Sequence, residues 1–204
     1  MEGARREALL MAMLSELGEK GYGETSIERA CEVAGISVAE FEAEFGDMDT
    51  CLFAAYDHLA DRILTQATAG CEAGDPWPER IRAGLIALLA LVASDPEMAR
   101  VMTRSFPGVR PATYQCYVEL LERFLPFMKE GREYSEVEEE LPIEVEMLAI
   151  GAAEAIIFSE VDAGRSAGLP AMAPEILFSV LVPFMGPDRA ADEMRAASGA
   201  QRWS

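Results

Sequence analysis

Apolar residues recur along this chain at helical spacing and nowhere alternate cleanly at period two, so the pattern predicts helices and no strands. From Arg5 to Leu17 they fall at Leu9, Leu10, Met13, Leu14 and Leu17, one face of a helix that Gly18 and the Gly21-Tyr22-Gly23 turn should end. Thr25-Ser26-Ile27-Glu28 has the spacing of a capping box and opens a short helix with Ile27, Ala30, Cys31 and Ala34 inward. Gly35 supplies the left-handed residue that closes it. Ser37-Val38-Ala39-Glu40 is a second capping box, and the helix it opens carries Phe41 and Phe45 on its buried side. Gly46-Asp47 breaks the chain again. Three short helices with a tight glycine-containing turn between the second and third describe a helix-turn-helix unit.

Longer elements follow. One helix is expected from Asp49 to about Thr68, closed by Gly70 and the Gly74-Asp75-Pro76-Trp77-Pro78 loop. A second, Pro78 to Ala93, is nearly all Leu, Ile and Ala and therefore buried on most sides. Pro96 fits the first turn of a short helix ending near Phe106. Arg110 to Lys129 reads as another, its last turn kinked by Pro126. Pro142 to Gly164 and Pro174 to Met185 complete the set, with Gly186-Pro187 ending the last. The fold class is all-α, about nine helices: a head over 1–48, a larger helical body over 49–190 and a tail over 191–204.

Charge changes the picture. The 204 residues carry 17 Lys+Arg against 36 Asp+Glu, a net −19, which argues against a general nucleic-acid or anionic-membrane binder. The apolar run around Gly84–Ala93 is well short of a membrane span, and the N-terminus has no apolar block of signal-peptide type, so a soluble cytoplasmic protein is expected. Cys31, Cys51, Cys71 and Cys116 lie far apart with no CxxC pair, so neither a zinc knuckle nor a disulfide scaffold is indicated. The one histidine, His58, sits on a helical stretch and reads as a surface or interface residue. No GxSxG elbow, phosphate loop or GxGxxG turn occurs, and the run Glu136-Val137-Glu138-Glu139-Glu140 reads as a solvated loop. No catalytic residue, metal or cofactor is expected.

The motifs nevertheless carry a resemblance. Gly21-Tyr22-Gly23-Glu24-Thr25-Ser26-Ile27, Ala34-Gly35-Ile36-Ser37, Phe45 and Leu52-Phe53-Ala54-Ala55-Tyr56 resemble the N-terminal domain of TetR-type transcriptional regulators. Gly164 through Pro170, Pro174 to Leu177 and Pro183 to Pro187 are similar to the end of many actinobacterial members. The resemblance implies a homodimer with one helix-turn-helix per protomer, operator DNA as partner and a small-molecule pocket in the larger domain. It also implies that the last two long helices of each protomer pair into a four-helix bundle.

Carried onto this sequence, the candidate DNA-facing residues are Arg5, Arg6, Thr25, Ser37, Val38, Glu42, Ala43, Glu44 and Met48. Family members typically have Lys directly after the Ser, then a Tyr, often a His before the closing Phe, and a Lys opening the next helix. Here those places hold Val38, Glu42, Glu44 and Met48. No Lys or Arg occurs between Arg29 and Arg62, and residues 1–50 carry four basic and twelve acidic side chains, a net −8. Cations that neutralise phosphate dominate non-specific affinity, so this head lacks attraction and adds repulsion. A single Glu accepting from cytosine N4 is compatible with a groove, and Arg5 and Arg6 are candidates for an N-terminal arm. Three readings stay open: an unusual DNA mode or a more basic partner, a sensor or dimerisation partner that no longer reads DNA, or a longer protein whose basic arm precedes Met1.

Met98, Met102, Phe106, Tyr114, Tyr117, Met147, Ile150 and Phe158 lie where the resemblance implies a cavity for a small hydrophobic effector. Glu154, in an otherwise apolar turn, reads either as hydrogen-bonded at the bundle or facing solvent, or, if it points into the cavity, as a partner for a cationic ligand. The stretches Pro142–Gly164 and Pro174–Met185 are too apolar for lone surface helices, and Gly151, Ala152, Ala153 and Ala155 allow close approach, so both are expected to pack across a two-fold axis.

Overall fold

The apolar stripe at the N-terminus does form a helix: in the computed structural model, which describes residues 3–72, 74–105, 111–136 and 141–201, α1 spans Gly3–Lys20. Leu9, Leu10, Met13, Leu14 and Leu17 are all essentially fully buried. Gly18 does not stop α1. A glycine ends a helix by taking a positive φ, and here Gly21 does so at 75°, its N–H still bonded to the Leu17 carbonyl. After a 3₁₀ turn at Tyr22–Glu24 come α2 (Ile27–Ala34), α3 (Val38–Phe45) and α4 (Met48–Cys71). These are followed by α5 (Trp77–Ser94), α6 (Pro96–Ser105), α7 (Pro111–Glu122), the single turn α8 (Leu125–Met128), α9 (Val145–Asp162) and α10 (Ala173–Gln201). Two 3₁₀ segments, Lys129–Tyr134 and Ser166–Met172, connect the later helices. No strand occurs among the described residues, and the fold class is all-α as the periodicity predicts.

The chain forms two compact units, Met1–Arg62 with Glu97–Glu119, and Ile63–Pro96 with Leu120–Ser204. In the first, α1 packs on α2, and α2 on α3. In the second, α10 packs on α9 and α5, and α5 packs on the Ser166–Met172 segment.

Trp77 organises the second unit. It is 1% exposed, its indole Nε1 donates to the Phe127 carbonyl at 2.8 Å, and its ring lies 5.2 Å from Tyr134 and 5.3 Å edge-on from Phe184. Satisfying the indole N–H while burying the ring makes this anchor favourable rather than costly. Gly131 lets the 3₁₀ segment press against the indole: a Cβ there would lie 2.6 Å from the ring. Gly70 and Gly84 play the same part between α4 and α5, since a Cβ on Gly70 would meet Ala83 O at 2.7 Å. Arg132 then ties the segment to α9, donating to both carboxylate oxygens of Glu146 and to the Pro142 carbonyl at 2.9 Å. The Arg132 guanidinium holds the buried Glu146 carboxyl below the usual carboxylate range.

Two details depart from expectation. Pro126 does not kink the end of a long helix. α7 stops at Glu122 and Pro126 sits in the first turn of α8, where its missing N–H costs nothing. The chain does break at Gly186 (φ 75°, ψ 166°), but helix resumes after Pro187 and runs to Gln201, burying Ala190 and Ala197, so residues 191–201 are helical. The stretch Ser166–Ser198 is long and apolar enough by composition to cross a membrane, yet the Gly186 turn interrupts it and half of its most apolar 18-residue run is buried inside the fold.

Candidate nucleic-acid interface

The helix-turn-helix is built by local chemistry. Ser26, not Thr25, caps α2: its Oγ accepts from the Arg29 N–H at 3.1 Å, while the Thr25 hydroxyl turns back to donate to the Gly21 carbonyl at 2.9 Å. The cap therefore falls one residue later than the expected Thr25–Glu28 box, without a reciprocal partner at Arg29, and Glu28 instead accepts from the Ser26 hydroxyl. Gly35 closes α2 at φ 65°, ψ 36°, and the Ile36 N–H returns to the Cys31 carbonyl at 3.0 Å. Ser37 caps α3 in a complete capping box, Oγ accepting from the Glu40 N–H at 3.2 Å and Glu40 accepting from the Ser37 N–H at 2.8 Å. That backbone bond holds the Glu40 carboxyl below its ordinary range. Phe41 and Phe45 are buried with ring centroids 5.7 Å apart. Asp47 accepts from the Thr50 N–H at 2.8 Å at the start of α4, beside a half-buried Met48.

The buried phenylalanines fix which side of α3 looks outward. Val38, Ala39, Glu40, Glu42, Ala43 and Glu44 are exposed, and on α2 so are Glu32 and Val33, the last at 63%. Arg5 and Arg6 do not extend as an arm, because the chain is already helical from Gly3. Arg5 donates to the Gly35 carbonyl at 2.6 Å and lies 3.4 Å from Glu40. Arg6 lies 3.1 Å from Glu44, with its guanidinium 5.4 Å from the Phe45 ring centre. Lys20 pairs with Glu16 at 2.9 Å, and Arg29 pairs with Glu32 at 2.8 Å. Each of the four cations in residues 1–50 is thus matched to an acid of the same head, while Glu42 has no cation beside it among the described residues. These pairings span 35 and 38 residues for Arg5 and Arg6, and no short-range pattern announces them. His58 lies on α4, 3.4 Å from Glu7.

The residues expected around an effector fall into both units. In the first, Met98 is fully buried on α6, and Tyr114 and Tyr117 stand 6.2 Å apart on α7, Tyr114 at 57% exposure and Tyr117 half-buried. Exposure at Tyr114 is not what a cavity-lining residue shows within its own unit. In the second, Ile150 is buried on α9, with Met147, Glu154 and Phe158 half-buried. Phe106, the side chain of Met102 and most of the acidic run, 137–140, lie outside the described residues.

No protein-family model matches this sequence, and no curated protein matches it either. The fold does match solved structures. The fatty acid degradation regulator FadR of Bacillus halodurans superposes with a TM-score of 0.74 at 15% identity, covering 86% of this chain and 97% of that one. FadR of Bacillus subtilis, solved in complex with stearoyl-CoA, gives 0.72 at 16% identity over 88% and 97%. A TetR family regulator of Marinobacter aquaeolei VT8 gives 0.60 at 18% identity over 97% and 95%. The chain has the fold of TetR-type transcriptional regulators.

Proposed function

We propose that this chain is a TetR-like transcriptional regulator: a cytoplasmic homodimer whose helix-turn-helix heads meet operator DNA and whose larger domain answers to a small apolar effector. The observation that carries the reading is the head itself. Ser26-capped α2, a left-handed Gly35 and a complete Ser37–Glu40 box set α3 outward on buried Phe41 and Phe45, in a fold shared with regulators at a TM-score of 0.74. In this reading Thr25, Ser37 and the helix N-termini touch phosphate, Val38, Glu42, Ala43 and Glu44 face the groove, and Met48 backs them.

Dimerisation is supported by α9. Leu148 is 62% exposed, and Met147, Gly151, Ala152, Ile156, Ile157 and Phe158 are only half-buried within the protomer. A helix this apolar with so little of it covered gains stability by packing against a second copy. For the effector, the stearoyl-CoA held by one structural neighbour points to a ligand with a long apolar tail.

A second reading is favoured by the head's charges: with all four cations of residues 1–50 paired internally, the fold can serve as a sensor or dimerisation partner that does not bind DNA unaided. Fluorescence anisotropy of the purified protein with duplex DNA at ~50 and ~200 mM salt separates the two. Binding that falls steeply between those conditions supports the regulator. Absence of binding at ~50 mM supports the partner reading.

A further inference from the structure

The head carries cations beside α3 and spends them on its own acids. Arg5 reaches both the Gly35 carbonyl, at 2.6 Å, and Glu40, at 3.4 Å; Arg6 reaches Glu44 at 3.1 Å and stacks over Phe45. Arg5 therefore sits at the first turn of α3 and Arg6 at its last, the two positions from which a guanidinium meets the phosphates flanking a groove that α3 enters. We infer that the pairs Arg5–Glu40 and Arg6–Glu44 form an autoinhibitory latch: α3 carries its own counter-ions for the head's two flanking arginines, and phosphate must displace them to bind. The inference rests on the head being a DNA-facing element.

The physics favours a weak, exchangeable latch. Both pairs are solvent-exposed, with side chains between 31% and 46% accessible, so each is open to competition by salt and by phosphate. Phosphate binding to a free guanidinium releases condensed counter-ions; binding to a paired one must first strip a carboxylate and leave it facing the duplex. The same two arginines thus contribute far less to DNA affinity than their position allows.

The test uses the full chain and a random-sequence duplex at ~20 mM salt, read by anisotropy. Glu40→Gln with Glu44→Gln removes the acidic partner of each arginine, leaving Arg5 its bond to the Gly35 carbonyl, and Gln at position 40 keeps the capping box intact. The comparison is Glu19→Gln with Glu24→Gln, which removes the same charge from exposed sites that pair with no cation among the described residues. The latch predicts at least a tenfold gain for the first double variant over the second. It also predicts a salt slope steeper by roughly 3 to 4 when two arginines in each of two heads engage, at about 0.9 per phosphate. Adding Arg5→Gln and Arg6→Gln to the first variant should erase the gain. Equal gains in both double variants, or a gain that survives loss of the arginines, overturn the latch. Val38→Lys with Glu42→Lys places cations directly on α3: if it binds duplex while E40Q/E44Q gains nothing, the latch fails and the reading of the head stands; if it too fails to bind, both fall.

Discussion

Gly131 gives the sharpest test of the packing that holds the second unit. Substitution by alanine puts a Cβ 2.6 Å from Cη2 and Cζ2 of Trp77 and 2.9 Å from Cδ1 of Phe184. Carbon pairs are at ease at about 3.5–4.0 Å, so the indole would have to retreat by roughly 1 Å. It has nowhere to go: Nε1 is bonded to the Phe127 carbonyl at 2.8 Å, and Tyr134 and Phe184 close two sides. Overpacking of this kind costs about 1–3 kcal/mol, of which about 0.4–1 kcal/mol is offset by the stiffer unfolded chain of the alanine variant. The net loss should be about 1–2 kcal/mol, or a fall in Tm of about 2–8 °C for a chain this long. Urea unfolding followed by far-UV circular dichroism, at one fixed protein concentration so that the proposed self-association contributes equally to both proteins, reads it directly. Trp77→Phe supplies the control, since phenylalanine lacks the outer indole atoms. Alanine at 131 should cost about 1 kcal/mol less in that background. Stability of G131A at or above the parent, or the same cost in both backgrounds, would refute the packing argument.

Three further outcomes follow from the same geometry. Ser37→Ala removes the acceptor for the Glu40 N–H and should cost about 1 kcal/mol, seen as faster amide exchange over α3, while Ser37→Thr retains most of the cap. The native Glu146 carboxyl is lowered by Arg132, so its stabilisation is fully present above the unfolded value near 4.3 and is lost as pH falls through the lower native value; Glu146→Gln should flatten that part of an acid unfolding curve. On Gly151 an added Cβ meets nothing within 4 Å in the protomer, so Gly151→Glu should leave the fold intact and shift sedimentation toward monomer. Unchanged sedimentation would move the interface elsewhere.

What the sequence made legible was local. Gly35 and the Ser37–Glu40 box are visible because a left-handed residue and a three-residue spacing have one structural meaning each. Thr25 and Ser26 are both capping residues, so their register was ambiguous by one until the Thr25 hydroxyl found the Gly21 carbonyl. Gly18 and Pro126 mislead because a glycine permits a left-handed turn without requiring it, and a proline ends one helix or begins the next with equal ease. The helix after Gly186 was hidden by weak periodicity, and only the burial of Ala190 and Ala197 reveals its packing. In the head, composition exposed the acidity of α3. It could not reveal that Arg5 and Arg6, 35 and 38 residues away from Glu40 and Glu44, are the cations matched to it. Such a pairing exists only once α1 lies beside α3.

Selection of duplexes from a random pool by the full-length protein at ~20 mM salt, followed by sequencing, tests the regulator reading most directly. Two heads related by a two-fold axis should enrich a palindromic sequence with half-sites about one helical turn, or a multiple of it, apart. A recovered pool no different from the input would contradict it.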